Sequence, residues 1–299
     1  MKEINTSSSQ TRLKRIITVC EKKDISAWKI TSSAILQRIA AEDYLLICPD
    51  SQINHFQSVT PADWRIIAES VFSQNCEVAL IRERVRGENK SRVHWLFQQF
   101  LKLNSIVAAD LEDGDAILIW DADTVPLRKL DFIEPETGRL IYYHGTENHS
   151  HYFETMEKLL GYGKAFEGSF IAQNLPIYVG WARHLIREIE ANSGTSYSHA
   201  ILDTLPGISG SEFSEYETLG TWAYRNRREQ MIIRRKNRWL RCGTELLGTD
   251  PSKVRARILL KSLSLYYDYI AIENWRRDLS LGHLTSVIGR RAKAFLQRK

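Results

Sequence analysis

Cysteine is scarce in this sequence and follows no recognisable spacing. Four cysteines occur among the 299 residues (Cys20, Cys48, Cys76 and Cys242), and no two of them form a C-x-x-C pair. Three of the four lie on or beside apolar segments that resemble strands. The pattern excludes a small disulfide-rich scaffold and argues against a cysteine metal site. We therefore expect buried free thiols in a reducing cytoplasm.

Long apolar runs are also missing. A bilayer span needs about 20 consecutive apolar residues, and no stretch of the chain approaches that length. Residues 1–15 are polar and lack the apolar centre of a secretory signal. Internal repeats and long linkers are absent as well. We therefore expect a cytoplasmic protein built around one large folded unit.

Charge is distributed unevenly along the chain, whose formal net charge is +5. Residues 225–261 hold 12 Lys or Arg against three acidic residues, a net charge of +9, and residues 281–299 add five basic residues and no acid. A positive carboxyl-terminal third indicates a polyanionic neighbour, which could be nucleic acid, a diphosphate-bearing substrate or an anionic membrane surface. The alternative is a helical face whose charges are simply solvated.

Short apolar segments alternate with helical patterns through the first half of the chain. Strands are predicted at 15–20, 44–48, 78–81, 116–120 and 139–143, and helices at 26–40, from Pro61 onward, and at 92–104. This alternation predicts an α/β fold with a mostly parallel, doubly wound sheet flanked by helices. We predict a disordered segment at 1–14, a catalytic domain at 15–225 and a basic helical extension at 226–299 packed on that domain.

The most informative segment is the apolar run at 116–120, which is followed at once by Asp121 and Asp123. Ligands of open α/β sheets bind at the carboxyl ends of the strands. In an extended chain the two aspartates would point to the same side. Two neighbouring carboxylates are suited to Mg²⁺ or Mn²⁺ that also carries substrate phosphates. The alternative is that the pair only forms an Asx turn.

Four segments together resemble a known family. They are the first strand with Lys22-Lys23-Asp24, the helix Trp95-Leu96-Phe97-Gln98-Gln99-Phe100-Leu101-Lys102, the D-x-D segment, and Phe213-Ser214-Glu215-Tyr216-Glu217. In this order they resemble a bacterial nucleotide-sugar glycosyltransferase of the GT-A fold, over about residues 15–225. The resemblance implies a GT-A-like, Rossmann-like domain, Mn²⁺ or Mg²⁺, and a nucleotide-diphosphate sugar donor. It also implies a saccharide or lipid-linked saccharide acceptor in surface polysaccharide synthesis. Donor, acceptor and stereochemical outcome are left open.

The resemblance also suggests roles for individual residues on the donor side. Asp123 would bind the metal directly, and Asp121 would contact the ribose or the metal. Lys23 and Asp24 belong to the nucleotide-binding first strand. Lys102 could reach a phosphate, although it could equally be a solvated lysine.

Further residues complete the expected site. Gln98 and Gln99 are predicted to lie on the polar side of their helix, where an amide could read a sugar hydroxyl or a base edge; the alternative is that both are ordinary helix-surface residues. The acidic cluster Glu212, Glu215 and Glu217 is the expected source of a catalytic carboxylate, and Glu215 is the favoured member. Alternatively, Ser214 and Glu217 form a capping box at a helix start, and both interpretations can hold together. His283 is a candidate late metal ligand, although a lone histidine is usually structural.

Two other functions compete. The D-x-D-T-V sequence from Asp121 also matches haloacid-dehalogenase-type phosphatases, in which Asp121 would be the nucleophile. That motif normally opens its domain, however, and no later acidic metal motif follows here. A basic nucleic-acid-binding protein is suggested by residues 225–261, with Tyr224 and Trp239 as stacking surfaces. No helix-turn-helix, zinc or RNP-like pattern supports it, so nucleic acid is not the expected partner.

The basic carboxyl-terminal third is finally predicted to dock the protein peripherally on the cytoplasmic face of a membrane. Segments 254–272 and 284–299 each combine apolar and basic residues, a composition typical of reversible interfacial binding. For 254–272 the alternative is packing of its apolar side onto the catalytic domain. The tail is therefore the favoured membrane-binding segment.

Overall fold

A computed structural model describes residues 12–73, 76, 78–85, 92–108, 110–205, 212–234, 238–241, 247, 251 and 253–272. The strands in chain order are β1 (Leu13–Val19), β2 (Ala41–Cys48), β3 (Trp64–Ala68), β4 (Ala116–Trp120), β5 (Thr124–Pro126), β6 (Leu140–Tyr142), β7 (Asn174–Tyr178), β8 (Met231–Ile233), β9 (Trp239–Leu240) and β10 (Tyr269–Ala271). The helices are α1 (Ile25–Arg38), α2 (Ile53–Gln57), α3 (Val78–Arg84), α4 (Val93–Ile106), α5 (Ser150–Leu160), α6 (Val179–Ser193), α7 (Tyr197–Thr204), α8 (Glu215–Asn226) and α9 (Val254–Leu263).

The central sheet has five strands in the order β3-β2-β1-β4-β7. The first four are parallel, and β7 pairs antiparallel with β4 at one edge. Helices pack against the sheet, so the predicted mixed α/β fold with a mostly parallel sheet flanked by helices is confirmed. Every residue of β4 is buried, as expected of a strand covered on both faces.

Two small sheets complete the fold. Strands β6 and β8 pair in parallel, and β10 lies between β5 and β9. Since β5 immediately follows the two aspartates, β10 brings the late part of the chain next to them. Helix α9 packs on the same region through a small apolar cluster that includes Val125, Leu127, Ala256 and Leu260.

Helix α4 confirms its predicted apolar stripe. Its residues Val93, Leu96, Phe97, Phe100 and Leu101 are all buried. Their spacing of three and four residues places them on one side of the helix, which packs against the sheet.

Two predicted elements were wrong. The segment after Pro61 is not a helix: the chain turns there and then forms strand β3, whose partner is β2. Conversely, 78–81 is not a strand but the start of α3, in which Ile81 is buried while Arg82 and Arg84 are exposed. Short apolar segments fit either structure, and the neighbouring strand decides between them.

Some expectations fall on residues outside the described part of the chain. They include most of the predicted amino-terminal segment 1–14, His283, and the tail 284–299. Within the described residues, no helix has the length and apolar character needed to cross a membrane.

Candidate active site

The carboxyl ends of four parallel strands meet at one edge of the central sheet. Strand β1 leads to Lys22–Asp24, β2 to Asp50, β3 to Glu69 and β4 to Asp121. Acidic side chains therefore gather at the edge where α/β sheets bind ligands.

Asp121 and Asp123 lie in a tight turn between β4 and β5. The Thr124 N–H donates to the Asp121 carbonyl oxygen (3.0 Å), so the chain is not extended here and the alternation of side chains does not apply. The turn, rather than an extended chain, therefore sets the positions of the two carboxylates. The Asp123 carbonyl oxygen accepts from the Ile272 N–H (2.8 Å), so β10 holds the turn in place.

Gln173 supports the same turn from the other side. Its carbonyl oxygen accepts from the Asp121 N–H (3.0 Å), and its φ of 62° is the only positive value for a non-glycine residue within the described chain. Left-handed backbone at a bulky residue is strained and is found disproportionately at functional sites. Sequence reasoning missed Gln173 because no local motif indicates this conformation.

Lys102 stands at the centre of the site. Its Nζ lies 2.7 Å from Asp121 Oδ1 and 2.7 Å from Glu215 Oε1. The Tyr216 hydroxyl donates to the same Asp121 oxygen (2.6 Å), and the Lys102 ammonium lies 4.3 Å from the Tyr216 ring centroid. The alternative of a solvated lysine is wrong, because Lys102 is buried and binds two carboxylates.

The electrostatics follow from this arrangement. Burial alone would lower the pKa of Lys102, but Asp121 and Glu215 outweigh it and raise the pKa above its ordinary value. Burial, followed by the charges of Asp121, Glu215 and Asp123, raises the pKa of Tyr216 well above its ordinary value. Lys102 therefore stays an ammonium and Tyr216 a hydrogen-bond donor across the physiological pH range.

Glu215 begins helix α8, and its position is set by two neighbours. The Ser214 side chain accepts from the Glu217 N–H (3.3 Å), which forms one half of the predicted capping box; the Glu217 carboxylate binds Ser169 and the Phe170 N–H instead of forming the other half. Gln99 Oε1 accepts from the Glu215 N–H (3.0 Å). Gln99 is buried, so the expectation that it lies with Gln98 on a polar helix surface was wrong for this residue; Gln98 is half-buried.

Glu217 has a different environment from Glu215. Its carboxylate accepts from the Ser169 hydroxyl (2.6 Å) and the Phe170 N–H (3.2 Å). Burial raises the pKa of Glu217 despite these hydrogen bonds. At Gly220, a Cβ would lie 2.2 Å from the Phe170 ring, so α8 packs closely on this segment. Glu217 thus connects α8 to the segment that precedes β7, through Ser169 and Phe170.

Lys23 and Asp24 lie at the end of β1, in the same rim. Lys23 Nζ pairs with Glu21 (2.8 Å) and is exposed. Burial raises the pKa of Asp24 to about 6; the charge of Lys23 opposes this rise, and the smaller effects of Glu21 and Asp121 add to it. Burial likewise raises the pKa of Glu69, at the end of β3, to about 7, so this edge of the sheet holds two carboxyl groups that ionise only near neutral pH.

Asp24→Asn is expected to stabilise the free protein above pH 6. The pKa of Asp24 rises from 3.8 to about 6 on folding, so the folded state holds a proton that the unfolded state loses, and stability falls as pH rises between about 4 and 6. Asparagine removes this contribution. Urea unfolding at pH 4.5, 5.5 and 7.5 measures it, with the exposed Asp63→Asn as control. An unchanged pH slope in Asp24→Asn would contradict the assignment.

The residues fit a divalent cation that arrives with phosphates rather than one held by protein alone. Asp121 and Asp123 offer hard carboxylate oxygens on one turn, and both are partly exposed. Among the described residues, no cluster of three or more His, Cys, Asp or Glu side chains could hold a metal. Mg²⁺ and Mn²⁺ commonly use one or two carboxylates and fill their remaining positions with substrate phosphates and water. The donor set therefore suits Mg²⁺ or Mn²⁺ bound together with a diphosphate.

Comparison with known proteins places residues 21–238 within a family model. The model is that of DUF6492, described as a family of unknown function, and it covers more than two thirds of the chain. No curated protein matches the sequence.

Solved structures show distant likenesses. The apo structure of mouse xyloside xylosyltransferase 1 superposes with a TM-score of 0.48 at 10% identity, over 89% of this chain and 99% of that chain. The galactosyltransferase LgtC, in complex with donor and acceptor sugar analogues, gives 0.40 at 10% identity, over 92% and 95%. At these scores neither likeness carries an argument about activity, which has to come from the site.

Proposed function

The chain belongs to DUF6492, a family of unknown function, and we propose that it is a metal-dependent glycosyltransferase. The donor would be a nucleotide-diphosphate sugar, and the acceptor a saccharide or lipid-linked saccharide in surface polysaccharide synthesis. One observation carries the proposal: Lys102 joins Asp121, in the turn after β4, to Glu215, at the carboxyl edge of a mostly parallel sheet. The edge of the sheet at which α/β proteins bind ligands thus carries Asp121 and Asp123, which suit a metal, and a third carboxylate, Glu215.

In the proposed reaction, the bond between the anomeric carbon and the diphosphate oxygen breaks, and its electron pair leaves with the nucleotide. A new bond forms to the acceptor hydroxyl oxygen, whose proton passes to a carboxylate. Mn²⁺ or Mg²⁺, when bound with the donor, would supply positive charge that stabilises the leaving diphosphate. Asp123 would hold that cation directly. Asp121, whose Oδ1 accepts hydrogen bonds from Lys102 and Tyr216, would help to orient the nucleotide-sugar donor.

Glu215 is the carboxylate proposed to receive the proton or to stabilise positive charge at the anomeric carbon. It is buried, and Lys102 holds its Oε1 at 2.7 Å. A fixed charge of this kind, close to the reacting atoms and away from water, stabilises charge that develops in the transition state. Lys23, Asp24 and Gln98 are proposed donor contacts on the same rim.

The place of the motif in the chain disfavours the phosphatase alternative. That motif normally opens its domain, whereas Asp121 follows β4, the fourth strand of the chain. Lys102 and Tyr216 both donate to Asp121 Oδ1, and these contacts are compatible with transfer chemistry in which Asp121 only binds.

A thermal-shift screen of nucleotide-diphosphate sugars with Mn²⁺, Mg²⁺ or EDTA tests the function. One donor class is expected to raise the melting temperature by several degrees with metal, since a ligand at 100 times its Kd adds about 2.7 kcal/mol. That donor is then used in a transfer assay with saccharide acceptors. The proposal fails if no nucleotide sugar stabilises the protein with either metal, or if transfer is unaffected by EDTA.

Glu215→Gln is expected to lower turnover by about 100- to 10,000-fold while the protein stays folded, because glutamine can still accept from Lys102. Glu217→Gln is the matched control: its environment of Ser169 and the Phe170 N–H indicates a structural role, so turnover should change only a few-fold. Steady-state kcat of both purified variants gives the answer. Near-normal turnover of Glu215→Gln, with loss in Glu217→Gln or Glu212→Gln, would assign the reaction to another carboxylate.

A further inference from the structure

Helix α9 carries apolar residues on two opposite sides. On its inner side Ala256 and Leu260 are buried against Val125 and Leu127, directly after the Asp121–Thr124 turn. This packing agrees with the predicted alternative, in which the apolar side of segment 254–272 packs onto the catalytic domain. Packing of the inner side does not explain why the outer side is also apolar.

The outer side of α9 and the turn that follows the helix expose large apolar side chains. Ile258 is 65% exposed, Leu265 is 70% exposed and Tyr266 is 57% exposed. In the described residues they are three of the four large hydrophobic side chains that are this exposed; the fourth, Val71 (53%), lies elsewhere, after β3. Ile258 lies within α9, and Leu265 and Tyr266 lie in the turn that follows its last residue, Leu263. Clustered exposed apolar groups of this kind mark interaction surfaces.

The positive charge of the same segment indicates which kind of partner would bind this surface. Residues 251–267 contain Lys253, Arg255, Arg257 and Lys261 and no acidic residue. Lys253 and Lys261 are exposed beside the apolar residues. The next acidic residue, Asp268, is buried and paired with Arg238. Exposed aliphatic and tyrosine side chains in a segment with exposed cations match the boundary of an anionic bilayer, where apolar groups enter the interface and cations meet the headgroups.

We propose that Ile258, Leu265 and Tyr266 insert into the interface of an anionic membrane, with Lys253 and Lys261 contacting its headgroups. We call these five residues the α9 surface. Because the inner side of α9 packs on residues just after the Asp121–Thr124 turn, docking through this surface would keep the candidate active site next to the membrane. The inference stands independently of the transferase proposal, since binding to lipid needs neither donor nor acceptor.

Co-sedimentation of the full-length protein with vesicles tests the α9 surface. Vesicles of phosphatidylcholine with phosphatidylglycerol are compared with vesicles of phosphatidylcholine alone. We expect binding to the anionic vesicles only, weakening in high salt, and a loss of about tenfold or more in Ile258→Ser/Leu265→Ser. Val71→Ser removes an equally exposed apolar side chain elsewhere and should bind like the unmodified protein. Unchanged melting temperatures will show that the substitutions leave the fold intact.

Three outcomes would overturn the inference. Equal binding to neutral and anionic vesicles would remove the electrostatic part. Undiminished anionic binding by Ile258→Ser/Leu265→Ser would assign any membrane contact to another segment, such as 284–299. A change in oligomeric state on substitution, measured by light scattering without lipid, would assign the surface to a second copy of the chain.

Discussion

Asp123→Asn is expected to reduce sugar transfer by about 100-fold or more. Loss of a residue that merely supports a metal ligand already costs 10- to 100-fold, and Asp123 is the proposed direct ligand. Asparagine keeps the size of the side chain and its hydrogen-bonding oxygen but removes the charge. The Asp123 backbone bond from Ile272 (2.8 Å) is unaffected, so the fold should be preserved.

Two readouts separate this effect from general damage. In the thermal-shift assay, Asp123→Asn should lose the extra stabilisation that metal gives to donor binding, while its melting temperature without ligand stays unchanged. Asp63→Asn, an exposed aspartate before the amino end of β3 and so at the opposite edge of the sheet, serves as control. Metal-dependent donor binding that survives in Asp123→Asn would refute its role as a ligand.

Lys102→Met is expected to lower the free energy of unfolding by about 3–5 kcal/mol, because removing one partner of a buried ion pair leaves the other charge uncompensated. Lys102 is the ammonium that links Asp121 and Glu215, and both oxygens lie 2.7 Å from it. We also expect loss of transfer, since neither carboxylate keeps its position. Urea unfolding at pH 7.5 measures the first effect and the donor assay the second.

Lys14→Met is the matched control for this variant. Lys14 also pairs with a carboxylate, Glu42, at 2.8 Å, but both side chains are exposed, and exposed ion pairs contribute little to stability. Adding Glu215→Gln to Lys102→Met should restore much of the stability, because it removes a stranded buried charge. If the free energy of unfolding of Lys102→Met lies within about 1 kcal/mol of that of the unmodified protein, the charges are not as tightly coupled as the distances imply.

Local sequence chemistry was sufficient for several elements. The apolar run at 116–120 is strand β4, the stripe on 93–101 is the buried side of α4, and Ser214 caps α8. Each depends on residues within one or two turns of each other, and their periodicity or capping oxygen is visible in the sequence. The predictions for 61–68 and 78–81 failed because short apolar segments of either kind look alike without their neighbours.

The roles proposed for the site residues remain predictions, but the structure decides which of them are neighbours. Lys102 and Glu215 are 113 positions apart, and no local pattern relates them. Gln99, expected at a polar surface, turns inward because the Glu215 N–H at the start of α8 needs an acceptor. Gln173 adopts its positive φ in the segment that supports the Asp121 turn.

By itself the sequence determined the α/β class, the end of a buried strand in two aspartates, and the basic character of the carboxyl-terminal third. These are properties of apolar periodicity and composition, which the chain carries before it folds. Only the tertiary structure decided that Lys102 is buried between two carboxylates, that β10 holds the aspartate turn, and that α9 and the turn after it leave Ile258 and Leu265 exposed. Partners of buried charges and the exposed sides of packed helices depend on which distant segments meet, and packing rather than local chemistry selects them.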